Sequence, residues 1–229
     1  MNQSKIMVMG DLHGRWDLLN HVIKHSEPNI ILQCGDFGFW PRFSWCSINK
    51  IKNNKTKIYF CDGNHDDHDS LNTLENNEIA KNIFYMKRGS TLCLPDGRNI
   101  LFIGGADSID KPYRTVGVDW FPQEVLSESD FEILPDSEID IIISHTCPRE
   151  ILPNLRGTYG TSKYDLNSSV NCSDPSCDIL SKVLEKYNPE LWFFAHWHEF
   201  VEGQIKETKW TALKNIEMWR DSFKWLPGV

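Results

Sequence analysis

Ile6-Met7-Val8-Met9-Gly10-Asp11-Leu12-His13-Gly14 sets an unbroken apolar run directly ahead of a carboxylate and an imidazole two residues apart. A run this short and this apolar predicts a strand buried on both faces, as in the parallel sheets of α/β proteins. Asp11 and His13, carried at its end between two glycines, read as half of a metal site. Leu18, Leu19, Val22 and Ile23 then recur at helical spacing, which predicts a helix over residues 15–26.

The same unit returns along the chain. Residues 29–34, with Ile30-Ile31-Leu32, predict a second strand that empties into Gly35-Asp36-Phe37-Gly38. A helix is expected over residues 43–52, and then residues 57–61 predict a third strand, ending in Asp62-Gly63-Asn64-His65-Asp66-Asp67. Residues 67–82 are polar and predict a short helix and a turn. Residues 91–94 and 99–103 flank Pro95-Asp96-Gly97-Arg98, the signature of a hairpin, whose second arm runs into Gly104-Gly105-Ala106-Asp107.

Residues 111–137 carry no clear period, although Trp120, Phe121 and Pro122 mark an ordered loop packed on the core. Residues 139–143 predict a further buried strand ahead of Ser144-His145, and residues 191–195 another ahead of His196-Trp197-His198. Between these two, residues 156–173 form a long polar loop, equally a wall of a pocket or a plain surface loop. Asp174 as cap, Pro175 in the first turn and the stripe Ile179, Leu180, Val183, Leu184 and Tyr187 then predict a helix. Strands near residues 201–205 and 209–213 precede a tail bearing Trp219 and Trp225, which packs on the core or on a second subunit.

Length and composition bound the reading. The 229 residues, 40% hydrophobic, suit one domain spanning 1–229. The first residues lack a signal-peptide pattern, and no apolar run approaches the ~18 residues of a membrane span, so a soluble, cytoplasmic protein is expected. The seven cysteines are odd in number and read as reduced thiols; Cys172 and Cys177 have no second pair to complete a zinc site. A net charge of −8 without a basic run excludes a protein that coats nucleic acid or a membrane surface. Most of the nine tryptophans sit in apolar runs, which leaves Trp40 and Trp197 as those nearest a substrate.

Five predicted strands therefore end in metal-competent side chains: Asp11 and His13, Asp36, Asn64 and His65, His145, then His196 and His198. In α/β sheets ligands gather outside the carboxyl ends of the strands, so these residues can converge. One such residue is ordinary turn chemistry; five strand ends in register with it are not. The oxygen and nitrogen donors suit Mn, Fe, Zn or Co. Two ions sharing a carboxylate would use them fully.

Gly10-Asp11-Leu12-His13-Gly14, Gly35-Asp36-Phe37-Gly38, Gly63-Asn64-His65-Asp66, Ser144-His145 and Ala195-His196-Trp197-His198 resemble, in order and spacing, the five signature blocks of the calcineurin-like metallophosphoesterases. The resemblance implies a four-layer α/β/β/α sandwich of two mixed β-sheets with a dinuclear metal site at the strand C-terminal ends. It implies Asp11, His13, Asp36 and His198 on one ion and Asp36, Asn64, His145 and His196 on the other, with His65 catalytic. A metal-bridging hydroxide would attack phosphorus in line, and protonated His65 would serve the leaving oxygen.

The phosphate-clamping arginine of the phosphoprotein phosphatase branch is missing from its usual place after the second block. Arg15, Arg42 and Arg114 are the candidates to replace it, and Arg114 follows Gly105-Ala106-Asp107-Ser108-Ile109-Asp110-Lys111, a stretch similar to one in bacterial and phage members. A salt bridge of Arg114 to Asp107 or Asp110 is the competing expectation. The activity expected is hydrolysis of phosphomonoesters on small molecules, nucleotides or phosphoproteins, including serine/threonine phosphoproteins, with manganese as the first metal to try. The alternatives are a phosphodiesterase or nucleotide pyrophosphohydrolase, and a non-catalytic metal-binding scaffold.

Overall fold

The computed structural model describes residues 4–52, 55–155 and 174–228. Its strands fall into two sheets. The first contains β1 (Ile6–Met9), β2 (Ile30–Gln33), β3 (Lys57–Phe60), β4 (Glu78–Ala80) and β5 (Ile83–Tyr85). The second contains β6 (Thr91–Cys93), β7 (Asn99–Ile103), β8 (Ile141–Ser144), β9 (Leu191–Phe194), β10 (Val201–Ile205) and β11 (Thr208–Ala212). β12 (Phe223–Trp225) returns to the first, giving the orders β12-β1-β2-β3-β5-β4 and β10-β11-β9-β8-β7-β6. In each sheet four inner strands are parallel and both edge strands antiparallel. The helices are α1 (Trp16–Ser26), α2 (His68–Asn72), α3 (Glu128–Glu132) and α4 (Pro175–Tyr187).

Side chains alternate across a strand, and here both alternate sets are apolar. Met7, Met9, Ile31, Ile58 and Phe60 point outward onto Leu19 and Val22 of α1. Ile6, Val8 and Leu32 point inward and meet Ile100, Phe102, Ile141, Ile143 and Phe193 of the second sheet. Leu101, Ile142, Trp192 and Phe194 leave the far side of that sheet and pack on Ile179, Leu180, Val183 and Leu184 of α4. These three apolar layers separate four structural ones, the expected α/β/β/α sandwich. Truncating a residue such as Leu180 to alanine would cost about 2–5 kcal/mol. The predicted cap of α4 is present: the Asp174 carboxylate accepts from the Ser176 amide at 2.8 Å.

Residues 43–52 depart from expectation. They form two separate 3-10 turns, Ser44–Cys46 and Ile48–Lys50, because the backbone breaks to extended geometry at Ser47. Their Ser, Asn, Trp and Ile content favours a helix weakly. Strands β4 and β5 were not legible within and after the polar stretch, and residues 111–137 resolve into short 3-10 turns and α3. The tail packs on this chain's own first sheet, as β12 beside β1. The polar loop at 156–173, with Cys172, lies outside the described residues. Among the described residues no helix is long and apolar enough to cross a membrane.

Candidate metal centre

The ends of β1, β2, β3, β8 and β9 open at one edge of the sandwich, and short turns place their side chains there. Four of the predicted donors, His13, Asp36, His196 and His198, have left-handed backbone (φ +46°, +52°, +63° and +54°). L-residues adopt this region at a cost, so the surrounding contacts must hold it. The amides of Leu12 and His13 both donate to the carbonyl of Asp36, at 3.0 and 2.8 Å. A β-carbon on Gly35 would meet the His145 ring at 2.6 Å, and one on Gly63 would meet the Asp36 amide at 2.2 Å. Glycine is required there because the blocks touch.

Asp66 staples the second block to the third. Its carboxylate accepts from the amides of Gly38 and Phe39 at 2.8 Å each, of Gly63 at 2.9 Å and of Phe37 at 3.2 Å. Burial and the neighbouring Asp36 charge nonetheless push it up to about 7. The load of backbone donors on Asp66 could not be read from the sequence.

Around this frame the structure brings all seven predicted donors together. Asp36 lies between two groups: its Oδ2 is 3.7 Å from His13 Nε2, and its Oδ1 is 3.4 Å from His145 Nε2. On one side His13 Nε2 and His198 Nε2 approach to 3.5 Å, and His198 Nε2 lies 2.9 Å from Asp11 Oδ2. On the other, the Asn64 Oδ1 faces His145 Nε2 at 2.9 Å and His196 Nδ1 at 3.1 Å. The sets Asp11, His13, His198 and Asp11, Asp36, His145 each bring their donor atoms within 4.8 Å of one another.

This arrangement fits divalent cations. Asp11 Oδ2 is buried and makes no well-formed hydrogen bond, although a ring nitrogen stands beside it. Oxygen and nitrogen donors from several strand ends gathered within 4.8 Å of one another, a buried carboxylate oxygen among them, are what a cation requires. Burial would raise Asp11 and Asp36, but the nearby histidines outweigh it and hold both below the ordinary carboxylate range. Burial and the charge of His145 push His196 down to about 3, which keeps its ring neutral and ligand-competent. His145 has its Nδ1 on the carbonyl of Cys34 at 2.8 Å, which directs Nε2 into the site.

His65 sits beside this cluster with its ring 5.2 Å from that of His13. Its amide donates to Asp36 Oδ1 at 2.7 Å, and its carbonyl accepts from Trp40 Nε1 at 2.8 Å. Arg114 Nη2 donates to His65 Nδ1. An arginine only donates, so at this contact Nδ1 is the acceptor and a neutral ring would carry its hydrogen on Nε2. Burial first, and then the Arg114 charge, lower the His65 pKa against the opposing pull of Asp36. In the metal-free protein His65 is thus biased toward the neutral form, where the sequence reading has it protonated.

The three candidate arginines separate clearly. Arg15 lies at the surface with Asp17, at 2.9 Å, and Glu217. Arg42 is held by both oxygens of Asp67, at 2.6 Å each, and by the carbonyl of Gly117 at 3.1 Å. Only Arg114 of the three touches His65. It also pairs with Asp110 at 3.3 Å, so the contact to the site and the competing salt bridge coexist. Trp197 donates to Thr146 Oγ1 at 3.2 Å.

The sequence model of the calcineurin-like phosphoesterases matches residues 4–200. Among solved structures, the phosphopantetheinyl hydrolase PptH of Mycobacterium tuberculosis is similar at 12% identity, with a TM-score of 0.53 over 99% of this chain and 97% of that one. GAP50, the anchor in the inner membrane complex of Plasmodium, is similar at 12% identity, with a TM-score of 0.50 over 91% of this chain and 70% of that one. At such identities the likeness is one of fold. No curated protein sequence matches the chain.

Proposed function

The chain belongs to the calcineurin-like phosphoesterase family, and from that premise we propose that it is a hydrolase of phosphate monoesters that works with two divalent ions. Asp11, His13, Asp36 and His198 would hold one ion, and Asp36, Asn64, His145 and His196 the other. The observation that carries this reading is Asp36, whose two oxygens face different histidines on either side. Bound there, the ions supply Lewis acidity and a nucleophile from water at neutral pH.

The remaining work falls to the chain's own side chains. His65, with its hydrogen on Nε2, presents a donor to the oxygen that leaves phosphorus. Arg114 selects that tautomer by donating to Nδ1 and brings a cation to the same side, where it can bind an oxygen of the phosphoryl group. Trp40 pins the His65 backbone.

Purified protein loaded with manganese, with its metal content measured, should hydrolyse p-nitrophenyl phosphate faster than bis(p-nitrophenyl) phosphate. A preference for the diester would replace the monoesterase reading with that of a phosphodiesterase. Absence of turnover on both, and on a panel of nucleotides and phosphopeptides, would leave the scaffold alternative.

A further inference from the structure

The stretch Gly105-Ala106-Asp107-Ser108 opens a strap, residues 105–124, that leaves β7 and crosses beside the third block. Its end is fixed. The carbonyl of Glu124 accepts from the Ala106 amide at 3.0 Å, and Arg88 donates to the carbonyls of Gln123 and Glu124 at 2.9 and 3.0 Å. Within it Ser108, 1% exposed, stands where three polar groups meet. Its Oγ accepts from Asn64 Nδ2 and from Arg114 Nη1, at 2.9 Å each. Its amide donates to Glu124 Oε1 at 2.6 Å, and the Ser108 side chain is one of the groups that offset the burial raising that carboxylate to about 7.

A hydroxyl has one hydrogen and two acceptor lone pairs. Two N–H donors, one of them cationic, take the lone pairs of Ser108. The neighbouring Glu124 carboxylate, whose Oε2 has no hydrogen-bond partner of its own, is the acceptor available for its hydrogen. Asn64 can then meet Ser108 only through its NH2 group. Its oxygen is turned the other way, toward His145 and His196. A carboxamide has nearly the same shape when flipped, so without this bias its NH2 could face the cation position instead.

We propose that Glu124 and Ser108 are positioning residues that set the polarity of the Asn64 carboxamide, which makes the strap a sixth element of the metal centre. This rests on the reading of Asn64 as a ligand. Outer groups that orient ligands contribute about 10- to 100-fold to metal affinity. Metal binding can be measured without any substrate, so the two ideas can fail separately.

The test is a titration of metal-free protein with Mn(II), by calorimetry and electron paramagnetic resonance, at about pH 8, where the Glu124 carboxylate is ionised. Ser108→Ala should weaken one of two ions about 10- to 100-fold and leave the other unchanged, while Ser108→Thr stays within about threefold of the parent. Glu124→Gln should weaken the same ion. Arg114→Ala should leave both affinities within about threefold, because Glu124 rather than Arg114 orients the hydroxyl. Parent-like binding by Ser108→Ala would overturn the proposal, as would an equal loss in Arg114→Ala, which would indicate simple loosening of the strap. If circular dichroism shows Ser108→Ala unfolded, Ser108→Cys takes its place with the same expectation, and unchanged binding there overturns the proposal too. Parent protein that binds no Mn(II) removes it outright. Correct Mn(II) behaviour without any phosphoester turnover would keep the positioning role and reject the proposed function.

Discussion

Seven donors gather at the ends of five strands, one arginine on the strap reaches His65 beside them, and the two regions are built by different means. The donors sit within a few residues of buried strands, in turns braced by Gly35, Gly63 and the carboxylate of Asp66. The strap is anchored inward by Ala106, Ser108, Arg114, Phe121 and Glu124, while Ile109, Tyr113, Val116 and Val118 remain exposed, Tyr113 at 85%. A rigid edge suits ions, whose coordination tolerates little displacement. A strap with a few anchors and an open outer face suits the selection of a substrate, because its outer residues can vary without disturbing the ions.

The largest effect that tests this division is at the edge. Asp36→Asn should lose activity to background and bind fewer ions, which metal analysis after desalting will register; full metal content with full turnover would remove Asp36 from its central place. Next, His65→Ala should lower kcat by roughly 10²-fold or more with both ions retained. On the strap, Arg114→Ala should lower kcat/KM by about 10- to 100-fold, the value of a charge-assisted hydrogen bond, with metal content intact. If Arg114→Ala instead empties the metal centre, the two regions are not separable as described.

A smaller effect concerns pH. Burial raises Glu124 to about 7 from its usual 4.5. A group with a raised folded-state pKa contributes stability that is fully present below its unfolded value and is lost as pH rises through the folded one. The metal-free protein should therefore lose up to about 3 kcal/mol between pH 5 and pH 8 at this residue, and Glu124→Gln should flatten that part of the profile in denaturant titrations. The smallest effect is expected at Arg15, whose exposed ion pairs contribute about 0–1 kcal/mol. Arg15→Ala should leave KM unchanged, and a raised KM would return it to the list of phosphate contacts.

The five strands that deliver the site were legible because strands buried on both faces are continuously apolar, a pattern that survives without knowledge of their partners. The hairpin was legible through its Pro-Asp-Gly turn, and α4 through its cap and stripe. β4 and β5 were not, being three residues each in a polar setting, where only pairing with β3 makes them strands. The expected helix at 43–52 failed for the converse reason: local preference was too weak to resist a backbone that follows Trp40 and Cys46 into the core.

For the site, the sequence by itself determined which residue types stand at which strand ends, since that needs only the order of apolar runs and the side chains after them. Tertiary structure decided everything that depends on approach through space. It put Asp36 between two histidine groups, drew Arg114 rather than Arg15 or Arg42 to His65, and set Ser108 and Glu124 behind Asn64. Ser108 lies 44 residues from Asn64 and Glu124 a further 16 from Ser108, so no local pattern links them. Hydrogen-bond polarity passes between neighbours in space, and only the folded sheets make these residues neighbours.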